Sequence, residues 1–201
     1  NALLFGFIFD PQSVIERKNV AGLVRAFQKA FSADDNCYLV LKANGKSQGA
    51  YDYEMIRASV DSQRVLFIEA TFSRSETFDF IKSLDAYVSL HRAEGFGLTC
   101  AEAMALELPV IASQYSGNLE FMDTTNSLLV PTKVIRTSRP YGPYPVGTCW
   151  GDPDIDAAAD MMRSLRPEPR RREIGKRGSE SVKSTLRHSK VAGIASALLK
   201  D

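Results

Sequence analysis

The sequence predicts an α/β domain in which helices cover both faces of a parallel β-sheet. Short apolar runs rich in β-branched and aromatic residues recur along the chain, and segments with helical spacing separate them. Within each run the apolar residues follow one another instead of alternating with polar ones. Strands of this kind are buried on both faces, which is the pattern of a parallel sheet between two helical layers. We therefore expect a Rossmann-like architecture.

Six runs are expected to form the strands: LLFGFIF (3–9), CYLVLKA (37–43), RVLFIEA (64–70), AYVSL (86–90), PVIAS (109–113) and SLLVP (127–131). Apolar residues recur at helical spacing from Val20 to Phe31, behind Asn19 as a helix cap. The stretch SRSE at 73–76 has the pattern of a capping box, in which a serine and a glutamate satisfy each other's backbone N–H groups. Helices are thus expected to alternate with the strands.

The chain after the sixth run is expected to contain a long loop followed by helices. Residues 132–152 hold several prolines and glycines and show no periodicity, which indicates an irregular loop. Residues 154–165 and 168–200 have helical patterns, with prolines separating them. Because no linker interrupts the patterning, we expect one domain over residues 1–201, with a Rossmann-like core to about 165 and C-terminal helices from about 166.

The composition narrows the classes of function. With 25 basic and 24 acidic residues the net charge is +1, so nothing global indicates nucleic acid or an acidic membrane as the main partner. Three cysteines, without paired zinc spacing, fit a reducing cytosol and no structural metal. No apolar run approaches the roughly 20 residues of a membrane-spanning helix. The chain starts without methionine and enters a strand almost at once, so we expect it to be part of a longer protein.

The stretch HRAEGFGLTCAEA at 91–103 carries the strongest chemical signal. Ligands of open parallel sheets bind at the carboxyl ends of the strands, where loops lead into helices. Here Glu94 precedes a Gly-Phe-Gly turn, and Glu102 falls about one turn into the following helix. Glycines allow close approach of a ligand, and the N–H groups at the helix start suit a phosphate. The two carboxylates can then bracket a nucleoside diphosphate sugar; alternatively, both are solvated and the glycines only form a turn.

Two longer stretches carry a resemblance to a known family. EGFGLTCAEAMALELPVIAS, followed by SGNLEF, resembles the E-x7-E signature of retaining glycosyltransferases of family 4, which have the GT-B fold. SVIERKNVAGLVRAFQKAF is similar to the basic phosphate-contacting segment of that family. The resemblance runs from residue 5 to about residue 165. It implies the carboxy-terminal, donor-binding half of a two-domain hexosyltransferase that uses a UDP-, GDP- or dTDP-sugar, retains configuration and needs no metal.

The resemblance also implies roles for individual residues. Glu94 would contact the donor sugar, Glu102 would bind the ribose, and Lys18 with Arg17 would neutralise the departing diphosphate, where charge grows in the transition state. The acceptor, such as a growing glycan or lipid, would bind in an amino-terminal half, without which this chain would be inactive or nearly so. The remaining donor contacts would come from Ser13, Thr71, Phe72, Gly95, Phe96, Gly97, Leu98, Thr99, Ser116, Gly117 and Asn118.

Several features depart from this pattern or admit another interpretation. Gln12 stands where the family commonly has an arginine, so Arg17, or Ser13 with backbone amides, would take over its phosphate contact. His91 lies beside the motif, and we expect a structural histidine without a role in proton transfer. The DPD sequence at 152–154 is similar to a metal-binding D-x-D, but its position before a helix favours a helix cap.

Two other functions remain as alternatives. One is a nucleotide-sugar epimerase or hydrolase of the same fold. The other is a non-catalytic module that binds through the basic stretch RPEPRRREIGKRG (166–178) and Arg187, His188 and Lys190. Because glutamates interrupt this stretch and no aromatic residue accompanies it, we favour a solvated helix face over nucleic acid. The expected location is the cytoplasm, with peripheral contact with the inner face of a membrane as an option.

Overall fold

The computed structural model describes residues 2–44, 51–60 and 63–186. Its centre is a six-stranded parallel sheet in the order β3-β2-β1-β4-β5-β6. All six predicted strands and the predicted fold class are confirmed. The strands are β1 (Leu3–Phe9), β2 (Cys37–Asn44), β3 (Val65–Ala70), β4 (Ala86–Ser89), β5 (Val110–Ser113) and β6 (Leu128–Val130).

The strand order reverses between β1 and β4, which lie side by side at the middle of the sheet. Phe5 of β1 pairs with Leu39 on one side and with Ala86 on the other. Its ring packs on Phe31 at 5.3 Å between centroids, and all four residues are buried. In doubly wound sheets the reversal opens a crevice at the carboxyl ends of the two central strands. This part of the fold is therefore the expected place for a ligand.

The helices form two packed groups, α2 with α6, and α4 and α7 with α5. They are α1 (Ile15–Lys18), α2 (Val20–Ala30), α3 (Tyr51–Ala58), α4 (Arg74–Lys82), α5 (Leu98–Ala105), α6 (Ile155–Ser164) and α7 (Glu168–Thr185), with a 3-10 helix at Gly117–Glu120. Within the described part of the chain, no helix has both the length and the apolar character needed to cross a membrane.

The two predicted helix caps have different outcomes. The capping box is confirmed, because Ser73 Oγ accepts from Glu76 N at 3.3 Å and Ser73 N donates to Glu76 Oε2 at 2.7 Å. Asn19 does precede α2, but its side chain makes no capping hydrogen bond. It has a left-handed backbone, with φ of 53°, and its Nδ2 donates to Leu90 O at 2.8 Å. The side chain thus ties α1 and α2 to the end of β4 instead.

The prediction of an irregular loop over residues 132–152 is wrong. Strands β7 (Thr132–Arg136) and β8 (Cys149–Pro153) form an antiparallel hairpin there. The hairpin has a small aromatic core, because the buried ring of Trp150 lies 4.9 Å from Tyr141 and 5.6 Å from Tyr144. Its prolines and glycines fall mostly in the connection, while the strands take β-branched residues such as Val134 and Ile135, which favour extended backbone.

The C-terminal part contains the two expected helices. Asp154 caps α6, since its Oδ1 accepts from Asp156 N at 2.9 Å and from Ala157 N at 3.1 Å, which confirms the cap interpretation of DPD. Helix α7 lies against the end of α5, and a Cβ at Gly175 would fall 1.9 Å from Glu107 O. The predicted continuation of this helix to residue 200, with Arg187, His188 and Lys190, lies outside the described residues.

Candidate functional site

A cleft of about 360 Å³ opens at the reversal of the strand order. The last residue of β2 and the segments that follow β1 and β4 contribute to it, as expected for a ligand site at the carboxyl edge of a doubly wound sheet. Eight of the site residues that the sequence predicts line this cleft. Separate loops carry them, so the fold brings them together and closeness in sequence does not. The lining residues are Ile8, Phe9, Asp10, Ser13, Arg17, Lys18, Asn44, Glu94, Phe96, Gly97, Leu98 and Thr99.

Two cations face one carboxylate in this cleft. The single turn of α1 presents Arg17 and Lys18, and Lys18 Nζ donates to Glu94 Oε2 at 2.5 Å. Arg17 Nη1 is 3.8 Å from the same oxygen and donates to Ala93 O at 2.8 Å, while its Nη2 donates to Ser13 Oγ at 2.8 Å. The cations are only 14% and 16% exposed, so their field in the cleft is weakly screened. Arg17 Nε is buried without a hydrogen-bond partner in the described chain.

The environment of Glu94 keeps its carboxylate charged. Burial raises the pKa of this group, but the hydrogen bond and charge of Lys18, with the charge of Arg17, outweigh that effect and bring the pKa below its usual value. The group is therefore an acceptor of hydrogen bonds at neutral pH. A ligand that offers hydroxyl groups and a negative charge can use both the carboxylate and its cations.

The Gly-Phe-Gly turn brings unpaired donors to the same cleft. Gly97 has a φ of 88°, in the left-handed region that favours glycine, and it is the N-cap of α5. Cys100 N and Ala101 N both donate to Gly97 O. The N–H groups of Phe96, Gly97, Leu98 and Thr99 have no hydrogen-bond partner in the described chain. These donors, at the positive end of a helix, form a site for anionic oxygens.

A second loop holds the turn from behind. Ser116 Oγ accepts from Glu94 N at 2.9 Å, and Gly117 N donates to Glu94 O at 3.1 Å. A Cβ at Gly117 would lie 1.9 Å from Gly95 O, so only glycine fits the contact. Ser116 itself has a φ of 76°, which a residue with a side chain rarely adopts. Gly117 and Asn118, which the sequence suggests as donor contacts, do not line the cleft and support its wall.

His91 belongs to this support. It is fully buried, and its Nε2 lies 3.0 Å from Asn118 Oδ1 and 3.1 Å from Tyr115 O, both of which are acceptors. Nε2 therefore carries the proton, and Nδ1 at 3.0 Å accepts from Ser89 Oγ. Burial lowers the pKa of His91, so the ring is neutral. The structure agrees with the expected structural role.

Glu102 lies in a second cleft, of about 400 Å³, which adjoins the first. Phe96 and Leu98 line both clefts and form the wall between them. The two glutamates thus lie in adjoining clefts on either side of this wall. Burial raises the pKa of Glu102, and the charge of Arg74 offsets this only in part. The other lining residues are Phe78, Lys82, Ala101, Ala105, Leu106, Val182 and Leu186.

Other predicted residues lie outside the first cleft, and two polar residues that line it were not identified from the sequence. Thr71 is exposed and Phe72 packs on Phe80 at 6.1 Å, and neither lines the first or the second cleft. Gln12 is also exposed and does not line either cleft. Asp10 and Asn44 do line the first cleft. Their signal in the sequence is a polar residue directly at the end of a buried strand.

A third cavity, of about 420 Å³, lies at the amino ends of the strands and is rich in arginine. Its arginines are already neutralised, because Arg166 pairs with Asp35, Arg171 with Asp85 at 3.3 Å and Arg172 with Glu168 at 2.5 Å. The start of α7 therefore resembles a solvated, internally paired helix face. The cleft at the carboxyl edge remains the candidate site.

A doubly wound sheet with cations and a helix start at its strand-order reversal gives this α/β domain a cleft whose chemistry suits anionic oxygens such as those of phosphates. Comparison with known families makes the assignment more specific. The model of the family described as glycosyl transferases group 1 matches residues 6–137. Since this match covers well over half of the chain, the chain belongs to that family.

Solved structures show the same fold at low sequence identity. The C-terminal domain of the glycosyl transferase group 1 family protein LpcC from Francisella tularensis has a TM-score of 0.70 and 19% identity, over 92% of this chain and 87% of that one. Sucrose-phosphate synthase from Thermosynechococcus elongatus has a TM-score of 0.72 and 22% identity, over 99% and 45%. HepE from Anabaena, solved in complex with UDP and glucose, has a TM-score of 0.75 and 15% identity, over 100% and 49%.

The chain thus spans less than half of the length of the last two proteins and most of the LpcC domain. It has the fold of a GT-B glycosyltransferase domain. A search of curated proteins found no match.

Proposed function

We propose that this chain is the donor-binding domain of a glycosyltransferase that uses a nucleoside diphosphate sugar. The observation that carries the proposal is the convergence of Arg17, Lys18 and the unpaired N–H groups at the start of α5 on one cleft. Charge-assisted hydrogen bonds from guanidinium and ammonium groups and N–H donors at a helix start are the usual ligands of phosphate groups. Membership of the glycosyl transferases group 1 family supports a sugar diphosphate over other anions.

In the proposed chemistry the two cations of the first cleft stabilise the leaving group. When the bond between the sugar and the diphosphate breaks, negative charge grows on the diphosphate oxygens, and Lys18 and Arg17 stabilise it in place of a metal ion. Glu94 accepts hydrogen bonds from the sugar hydroxyls and orients the sugar. We propose that the acceptor hydroxyl attacks from the face that the diphosphate leaves, which retains the configuration.

The proposed placement of the nucleoside follows from the second cleft. A ligand whose diphosphate occupies the first cleft can extend over the wall of Phe96 and Leu98 into the second. There the Glu102 carboxylate can accept hydrogen bonds from the ribose hydroxyls. The raised pKa of Glu102 supports this placement, because a half-buried carboxylate that has no ion pair in the described chain gains most from new donors.

The rest of the reaction is proposed to need parts outside this domain. The acceptor, a glycan or a lipid, would bind on a further domain of the protein that faces the first cleft. We propose that the protein acts in the cytoplasm, at the inner face of a membrane when the acceptor is a lipid. The isolated chain would then bind the donor and transfer little or no sugar.

The experiment that tests the proposal is calorimetric titration of the chain with UDP, GDP, dTDP and ADP, each with and without a sugar attached. The complex of HepE with UDP makes UDP the first probe. We expect one diphosphate to bind selectively, and Lys18→Met to weaken it by about 30-fold, equivalent to about 2 kcal/mol.

The matched control is Lys133→Met, which removes an exposed lysine of β7 that lines neither cleft. It should bind as the original chain does. Equal losses of affinity in both lysine variants would mean that binding depends on the net charge of the chain and not on contacts in the cleft. Absence of binding by every diphosphate, in a folded chain, would overturn the proposal that this domain suffices for the donor.

A further inference from the structure

A buried lysine lies beside the proposed donor cleft. Lys42 of β2 is 1% exposed and pairs with Ile8 of β1 and Ile68 of β3 in the sheet. A buried cation is costly unless a charge or hydrogen bonds compensate it. In the described chain no carboxylate is within ion-pair distance of Lys42. Its ammonium instead contacts the ring of Phe72, at 4.5 Å from the centroid, and the side chain of Asn44.

The contact with Lys42 decides how the Asn44 amide is oriented. An ammonium group has only donors, so the amide atom that faces Lys42 Nζ is Oδ1. The Nδ2 group therefore points away from the lysine. Asn44 is exposed and lines the first cleft, and its Nδ2 makes no hydrogen bond to any described residue. With respect to the described residues, two N–H donors of fixed orientation are thus available at the cleft.

We infer that Lys42 is a positioning residue, which holds the Asn44 amide so that its N–H₂ group donates to an oxygen of the donor nucleoside diphosphate. The inference rests on the proposed function and adds a specific binding residue, Asn44, and the residue that orients it. It also explains why an apolar strand retains a lysine at a fully buried position. Burial lowers the pKa of Lys42, as expected for a cation that has no anionic partner among the residues that the structure describes.

Two substitutions separate a positioning role from a merely structural one. Lys42→Met replaces the buried cation by an apolar side chain of similar length, so thermal stability should stay the same or rise. Its affinity for the nucleoside diphosphate should nevertheless fall about five- to tenfold, because the amide loses its fixed orientation. If Lys42 had a purely structural role, its replacement would lower stability and affinity together or would change neither of them.

Asn44→Asp provides a second test at an exposed position that folding tolerates. The new carboxylate pairs with Lys42, which should raise the melting temperature. Its second oxygen replaces two donors by an acceptor at the cleft, so affinity for the nucleoside diphosphate should fall at least tenfold. Stability and affinity are therefore expected to change in opposite directions.

The measurement is calorimetric titration of the 201-residue chain and both variants with UDP, pyrophosphate and uridine, alongside thermal unfolding. A loss that extends to pyrophosphate assigns the Asn44 contact to a phosphate oxygen, and a loss confined to UDP and uridine assigns it to the nucleoside; either supports the inference. Unchanged UDP affinity in both variants would overturn the inference while leaving the proposed function intact. If the original chain binds none of the three, the proposed function fails first, and this inference with it.

Discussion

Glu94 and Glu102 are the same residue type eight positions apart, yet the fold treats them in opposite ways. Glu94 lies on the loop before α5, within hydrogen-bond distance of Lys18 and close to Arg17, and its pKa is lowered. Glu102 lies within α5, has Arg74 as its charged neighbour, and has a pKa that burial raises. Within residues 2–44, 51–60 and 63–186, Glu94 belongs to an ion-pair network and Glu102 does not.

This difference teaches how the two glutamates can share one ligand without sharing a role. Environments that push the pKa values of two carboxylates apart commonly mark different functions. Removing Glu94 leaves two largely buried cations without their anion, so the free protein should lose stability. Removing Glu102 takes away a partly desolvated charge, so the stability of the free protein should change little and only ligand binding should weaken.

The largest effect is expected from a substitution that displaces the Glu94 loop while leaving Glu102 in its helix. Gly117→Ala places a Cβ 1.9 Å from Gly95 O, where backbone meets backbone, so we expect a loss of about 2 to 4 kcal/mol in the free energy of unfolding. Gly95→Ala is the matched control, because a Cβ there meets nothing within 4 Å. Urea unfolding of both variants measures the difference, and similar losses would contradict the interlocked loops.

The direct comparison is between Glu94→Gln and Glu102→Gln at pH 7. Glu94→Gln should lower the free energy of unfolding by about 1 to 3 kcal/mol, because Lys18 loses its charged partner in a largely buried position. Glu102→Gln should change it by no more than about 0.5 kcal/mol. Chemical denaturation decides between them, and an equal loss in both variants would remove the distinction drawn above.

The same pair of variants should differ in pH dependence. The pKa of Glu94 is lowered on folding, so its contribution to stability is present above the usual glutamate pKa and is lost as pH falls through the lower, folded value. The pKa of Glu102 is raised, so its contribution is present below the usual value and is lost as pH rises through the folded one. The deficit of Glu94→Gln should therefore shrink between about pH 5 and pH 3.

For Glu102→Gln the sign is reversed. Its stability relative to the original chain should increase slightly as pH rises from about 4 to 7, since the charged carboxylate is the less stable form in the fold. Melting temperatures measured across this range provide the test. Parallel curves for the two glutamine variants would show that the environments do not differ in solution.

The smallest effect is expected where the hairpin supports the Glu94 side of the site. Gly151 N of β8 donates to Arg92 O at 2.7 Å, and Arg92 Nη2 lies 3.3 Å from Asp152 Oδ1. Because Asp152 is exposed, Asp152→Asn should cost less than about 0.5 kcal/mol and leave diphosphate affinity unchanged. A larger loss in unfolding or titration would show that the ion pair, and not the backbone bond, holds the hairpin to the loop.

Much of this site could be predicted from the sequence because its elements are local. Buried parallel strands are continuous apolar runs, and a glycine turn before a helix start is visible as EGFG. The separation of Glu94 and Glu102 into two clefts could not be predicted, because the side chains of Phe96 and Leu98 form the wall only once α5 is packed. The hairpin was missed for a similar reason: its aromatic core joins residues from the connection with Trp150.

The close contact between Gly117 and Gly95 O has a practical consequence for changing the sugar that this domain is proposed to bind. Segments 94–97 and 113–118 are distant in sequence but pack closely against each other. A mutant library that varies one segment while holding the other constant would consist mainly of variants with a distorted pocket. Libraries that vary the two segments jointly, with Gly117 kept, would explore sugar preference without first losing the site.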